Sequence, residues 1–80
     1  MSNHDGGLEA GRQLAGLNVT DLWIAYVGLG GSAPESALHG YLDGAVVPAR
    51  EHDLVALAIN ERLTDLGIAH RLPFREDLWT

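Results

Sequence analysis

The sequence predicts an all-α fold: a small three-helix domain with a flexible N-terminal arm and a short amphipathic C-terminal tail. Three segments place apolar residues at helical spacing, and each is bounded by a capping residue or proline at its start and a glycine at its end. No strand pattern extends beyond the three residues 45–47. We therefore assign residues 1–17 to the arm, 18–72 to the three-helix domain and 73–80 to the tail.

The best-marked helix lies between Pro48 and Gly67. Proline can occupy a first helical position, where its missing N–H is not needed, and glycine can adopt the left-handed conformation that ends a helix. One apolar face and a polar face opposite to it follow from the helical period, while Leu54 and Leu57 belong to a second apolar face. The first face comprises Val55, Ala56, Ile59, Leu63 and Leu66, and the polar face comprises Arg50, Asp53, Asn60, Glu61, Thr64 and Asp65. A helix with two apolar faces needs two covering elements.

An earlier helix is expected over about residues 19–29, with Asn18 or Thr20 as its cap. Its apolar side chains surround the axis and leave only one narrow face without them, which predicts burial on most sides. Two neighbouring helices cover only part of such a circumference. We therefore expect self-association as a homodimer, since closed two-fold pairing is the commonest way to cover such a surface.

The middle helix is expected over about residues 33–43, where Ser32 and Glu35 form a capping-box pattern and Gly44 ends the helix. The three helical periodicities converge on one set of core residues. That set is Trp23, Tyr26, Val27, Leu38, Tyr41, Leu42, Val55, Ile59, Leu63 and Leu66.

The two ends of the chain are less regular. Residues 1–17 contain four glycines and weak periodicity, which predicts a mostly disordered arm with a short turn near residues 9–15. In the tail, Phe74, Leu78 and Trp79 stand at i, i+4 and i+5. We expect this tail to dock on the second apolar face of the last helix. The alternatives are a disordered tail and one that enters the groove of a partner.

Composition excludes several functional classes. The formal charge is −6, from eleven acidic residues against five arginines and no lysine, which argues against nucleic acid as the partner. Without cysteine there is neither a disulfide framework nor a thiolate metal site. The N-terminus has no signal-peptide pattern, and no apolar run is long enough to span a membrane. We expect a cytoplasmic protein, and the preference for arginine over lysine is typical of a GC-rich bacterial genome.

Two patterns could carry chemistry, and neither predicts an active site. The glycine-rich residues 28–32 precede a helix, but they follow a helix rather than a strand and lack the P-loop lysine, which favours an interhelical turn over a phosphate site. The four histidines show no i, i+4 pair, so no metal site is predicted. His52 is expected to be partly buried, with a pH-sensitive contact as the alternative. No nucleophile motif is present, and we predict no enzyme activity, catalytic residue or cofactor.

The segments DLWIAYVGLGG, ALHGYLDG, HDLVALAINERLTDLG and AHRLPF together resemble a group of short actinobacterial proteins of no assigned activity. In that group a tryptophan helix, a Gly-Gly turn, a Tyr-Leu helix and an Asn-Glu-Arg helix follow in this order. The resemblance covers about residues 22–74 and implies no catalytic residues. A looser likeness is to the three-helix antitermination modules of bacterial regulators, whose basic residues are missing here.

Two functional hypotheses remain. The first is a small acidic regulatory or adaptor protein that binds a protein partner through apolar helix surface. The second is a helix-turn-helix nucleic-acid-binding regulator that uses the last helix for recognition, although the acidic outer face of that helix would repel a groove. The residues predicted to bind a partner are Trp23, Leu54, Leu57, Phe74, Leu78 and Trp79.

Overall fold

A computed structural model describes residues 7–75, and this part of the chain is all-helical, without strands. The all-α prediction is therefore confirmed, but the described residues form four helices rather than three. They are α1 (Gly7–Ala15), α2 (Val19–Gly28), α3 (Glu35–Leu42) and α4 (Ala49–Asp65).

Helix α1 lies where the sequence predicted an arm with only a short turn. Leu8, Gly11 and Ala15 are all buried, and their i, i+3, i+7 spacing gives the helix a narrow face of mostly small residues. The Arg12 guanidinium pairs with the Glu9 carboxylate at 2.6 Å and lowers the pKa of that carboxyl. The prediction was wrong because it depended on the four glycines and the weak periodicity of residues 1–17, whereas the missing side chain of Gly11 allows Leu72 to pack closely on the helix.

The predicted start of α2 is confirmed, and that of α3 is not. Asn18 caps α2, since its side-chain oxygen accepts a hydrogen bond from the Asp21 N–H at 2.7 Å. In α3 the N-cap is Pro34, with no side-chain hydrogen bond to the cap. The Glu35 carboxylate instead accepts a hydrogen bond from the Thr20 hydroxyl at 2.6 Å. A contact between helices has therefore taken the place of the predicted capping box.

The central helix is α4, which packs against both α1 and α2. Its buried residues surround its axis, whereas α2 buries only Leu22 and Tyr26. Within this single chain α2 is therefore not enclosed on most sides, and its cover by a second copy of the protein stays a prediction. The buried residues of α4 are Asp53, Leu54, Val55, Ala56, Ala58, Ile59, Asn60 and Leu63.

Asp53 and Asn60 are buried although the helical period placed them on the solvent side. The chain after α4 covers this side. Asn60 pairs with the backbone of Leu72, accepting from its N–H at 2.8 Å and donating to its carbonyl at 3.0 Å. Asp53 accepts a hydrogen bond from the N–H of Arg75 at 2.7 Å. Seven helical residues rise about 10.5 Å, and three residues of the following segment can span up to about 10 Å, so the two polar positions can reach both backbone groups.

The predicted core is largely confirmed. Five of its residues are buried, namely Tyr26, Leu38, Val55, Ile59 and Leu63, and three are partly buried and packed on the core, namely Trp23, Tyr41 and Leu42. Val27 and Leu66 are 42% and 47% exposed, so their assignment was wrong. Val27 lies away from Leu22 and Tyr26 on α2, and Leu66 follows the last residue of α4, where the helix has ended.

Candidate functional site

The described residues enclose an open cavity of about 340 Å³. It lies between the start of α1, the connection from α3 to α4, the first turns of α4 and the segment that follows α4. The lining residues are Gly7, Leu8, Tyr41, Gly44, Ala45, Val46, Val47, His52 and Arg75. Four separate parts of the chain therefore meet at one concave surface.

The polar side of the cavity is held by hydrogen bonds. The fully buried Asp53 carboxylate has one oxygen, Oδ1, 3.0 Å from His52 Nδ1 and 2.7 Å from the Arg75 backbone nitrogen. The Arg75 guanidinium donates from Nη1 to the Val47 carbonyl at 2.7 Å. These contacts fix the histidine ring and the guanidinium at the wall of the cavity, and they use only one of the five guanidinium N–H groups.

The apolar side consists mainly of Leu8, Val46 and Val47. Leu8 and Val47 are buried in the core, whereas Val46 is 91% exposed, so its side chain makes almost no contact within residues 7–75. None of the described lining residues is acidic. A cavity with a guanidinium, an imidazole and aliphatic side chains suits binding of a small ligand.

The chemistry available at this cavity is limited. A carboxylate behind a histidine resembles the orienting pair of a general base, as in nucleophilic catalysis. No serine, threonine or cysteine is among the described residues that line the cavity. Across residues 7–75, no group of three or more histidine, cysteine, aspartate or glutamate residues is placed to hold a metal ion. The described lining therefore supplies an oriented imidazole and a guanidinium.

A second candidate surface is the outer face of α2. Ile24 and Val27 lie three residues apart on this face and are 57% and 42% exposed. Trp23 is partly exposed, and its indole N–H donates to the Ala33 carbonyl at 2.9 Å, which fixes the orientation of the ring. A fixed aromatic ring beside two exposed aliphatic side chains is typical of surfaces that bind proteins.

The residues predicted to bind a partner do not form one surface. Trp23 and Leu57 are partly exposed, and Phe74 is partly buried and packed on the core. Leu54 is 2% exposed, so in this fold it stabilises the interior and offers no free surface. Leu78 and Trp79 lie outside the described residues. Partner binding through this set stays a prediction.

The glycine-rich residues 28–32 connect α2 to α3 through contacts with Tyr26. The N–H of Gly31 donates to the Tyr26 carbonyl at 3.0 Å, and the N–H of Ala33 donates to the Tyr26 hydroxyl at 2.9 Å. A Cβ at Gly31 would lie 2.2 Å from the Tyr26 ring, so glycine is required there. Because these N–H groups already have acceptors, the interhelical turn is favoured over a phosphate site.

The Tyr26 hydroxyl also donates a hydrogen bond to the Glu51 carboxylate of α4. Burial raises the pKa of Tyr26, and the hydrogen bond to Glu51 raises it further. The residue therefore joins the α2–α3 connection to the central helix in its protonated form.

Sequence reasoning missed Asp53 and Arg75 as site residues. A signal was present, because Asp53 and Asn60 are two polar residues seven apart in a stretch of α4 that is otherwise apolar. Such spacing places both side chains on one face of a helix, where they can bind the backbone of a second chain segment. His52 is partly buried, as predicted, and its contact with Asp53 leaves the pH-sensitive role a prediction.

The burial of α4 bears on the helix-turn-helix hypothesis. A recognition helix must present one face to a groove, whereas residues 53–60 of α4 are covered on nearly every side. The exposed charged residues of α4 are Arg50, Glu61, Arg62 and Asp65, whose charges sum to zero. The covered geometry disfavours nucleic acid at this helix, and the exposed surface has no net positive charge to attract phosphates.

Comparison with protein-family models, with curated proteins and with solved structures found no significant match. The resemblance to short actinobacterial proteins therefore stays a prediction. Among residues 7–75, no helix has both the length and the apolar character required to cross a bilayer.

Proposed function

We propose that this chain is a non-enzymatic protein-interaction domain, a small regulatory or adaptor protein of the bacterial cytoplasm. It binds a protein partner through the exposed face of α2, formed by Trp23, Ile24 and Val27. We propose the same role for Phe74 and for Leu78 and Trp79, of which the last two lie outside the described residues.

The observation that carries the proposal is the exposure of apolar side chains on α2. Its sequence, VTDLWIAYVG, contains a single charged residue, yet only Leu22 and Tyr26 are buried by the rest of the described chain. Helices exposed to water in small proteins normally carry charged groups on their outer face. Binding of another protein to this face would remove its apolar side chains from water and would explain why they are exposed in the single chain.

The same face serves a homodimer. A two-fold interface brings one patch against its own copy, so that Ile24 and Val27 of each protomer would be removed from water together. An acidic protein with a formal charge of −6 resists close approach of its copies, which favours an interface placed where charge is lowest.

Sedimentation of the wild type and of Ile24→Asp tests self-association. The wild type should sediment as a dimer at high concentration, and Ile24→Asp should remain monomeric because a carboxylate would be buried in the interface. Leu14→Asp is the matched control, since Leu14 is exposed to a similar extent on α1. A dimer that survives Ile24→Asp and dissociates with Leu14→Asp would place the interface elsewhere.

Partner binding needs a separate measurement, because a monomeric protein can still bind a different protein. Proteins captured from the source cell by the wild type should be lost with Ile24→Asp and Val27→Asp and retained with Leu14→Asp. Binding through apolar surface should change little with salt, whereas contacts to phosphates weaken steeply as salt rises. Salt-sensitive binding to a labelled duplex would support the nucleic-acid hypothesis instead.

A further inference from the structure

We propose that the cavity beside Arg75 binds a small organic monocarboxylate with an apolar body. Arg75 receives the carboxylate, and Leu8, Val46 and Val47 contact the apolar body. This site goes beyond the protein-interaction function, because none of the residues that line the cavity belongs to α2.

The charge of the cavity selects an anion. The chain has eleven acidic residues and five arginines, yet the described lining contains an arginine and no acidic residue. The Asp53 carboxylate on the polar side is fully buried and binds His52 and the Arg75 backbone N–H. No acidic side chain in the described lining therefore competes with a bound anion for the guanidinium.

The shape of the guanidinium selects a carboxylate among anions of this size. Arg75 uses Nη1 to hold the Val47 carbonyl, which limits the rotation of the side chain. Its planar set of N–H groups still offers a pair of parallel donors, the arrangement that binds both oxygens of a carboxylate. Partial immobilisation before binding lowers the entropy that the side chain loses when a ligand arrives.

The remaining lining selects an apolar body. Val46 is 91% exposed at the edge of the cavity, an unusual position for a valine with no partner among residues 7–75. Leu8 and Val47 continue the apolar wall inward, and the ring of Tyr41 adds to it. A volume of about 340 Å³ lies at the lower end of the range for small-molecule sites, which favours a short ligand.

An amide NMR titration of the full chain with hexanoate, and in parallel with hexanol, tests the site. Hexanoate should give saturable shifts at the amides of Val46, Val47, His52 and Arg75. Hexanol has nearly the same apolar body without the charge, so its affinity should be at least about tenfold weaker. Equal affinities for the two probes, or no saturable shift with hexanoate, would overturn the proposal.

Four variants identify the residues responsible. Arg75→Gln should weaken hexanoate binding by about tenfold or more, while Arg62→Gln, an exposed arginine of α4, should leave it unchanged. Arg75→Gln also removes the hydrogen bond to the Val47 carbonyl, which could change the shape of the cavity. Val46→Asp is therefore a second test, at an exposed residue whose substitution does not disturb the fold. Val46→Asp should repel the carboxylate, and Val46→Asn should bind hexanoate more tightly than Val46→Asp. Unchanged affinity in both Arg75→Gln and Val46→Asp would refute the site.

Discussion

The pairing of Asn60 with Leu72 predicts that one side chain of α4 holds the C-terminal segment in place. Asn60→Ala would remove the partner of two backbone groups of Leu72, a residue that is buried. Each buried polar group left without a partner costs roughly 1–3 kcal/mol. Since the segment can shift and admit water, we expect a loss of about 2–3 kcal/mol. For a domain of this size such a loss lowers the unfolding midpoint by roughly 10–20 °C.

Thermal and urea unfolding followed by circular dichroism measure this loss. Glu61→Ala is the matched control, because Glu61 is the exposed neighbour on the same helix and its substitution should stay within about 0.5 kcal/mol of the wild type. An Asn60→Ala variant as stable as Glu61→Ala would show that the two hydrogen bonds do not hold the segment.

Asn60→Asp separates the two hydrogen bonds. The carboxylate can still accept from the Leu72 N–H, but its second oxygen faces the Leu72 carbonyl in place of the amide donor. The Leu72 carbonyl and burial should raise the pKa of the new carboxyl above that of an ordinary aspartate, so the variant should be destabilised at neutral pH and regain stability as pH falls toward about 4, where the protonated carboxyl can donate. A variant whose stability relative to the wild type does not change with pH would contradict the assigned geometry.

Three further predictions concern the core, the buried tyrosine and the tail. Leu63→Ala should cost about 2–5 kcal/mol in denaturant unfolding, and a loss below about 0.5 kcal/mol would show that Leu63 is not a core residue. Tyr26→Phe should cost about 1–3 kcal/mol through its lost hydrogen bonds. The raised pKa of Tyr26 means that the folded protein holds the phenol proton more tightly, so this residue lowers stability as pH rises above about 10, and the phenylalanine variant should lack that contribution. Deletion of residues 73–80 should lower the unfolding midpoint by several degrees, because it removes the N–H bound to Asp53, and comparison with deletion of 76–80 isolates the contribution of residues 73–75.

The sequence predicted the all-α class, the limits of α2 and α4 to within two residues, and most of the core. These features depend on local physics. Asn18 bonds to an N–H of its own first turn, and the helical period places Val55, Ile59 and Leu63 on one face whatever packs against them. Capping and helical periodicity involve only residues within a few helical turns of one another, so they can be recognised without knowing which other elements pack against the helix.

The tertiary structure decided which surfaces are covered. Asp53 and Asn60 carry the polar character that normally marks a solvent face, but a segment from beyond the end of α4 brings backbone N–H and carbonyl groups to them. Glycine lowers the intrinsic stability of a helix. At Gly11 the missing side chain allows Leu72 to occupy the space where a Cβ would lie, and this packing stabilises the fold. The cavity beside Arg75 likewise combines residues from four parts of the chain. Burial of a polar or small side chain depends on partners distant in sequence, and helical periodicity does not contain that information.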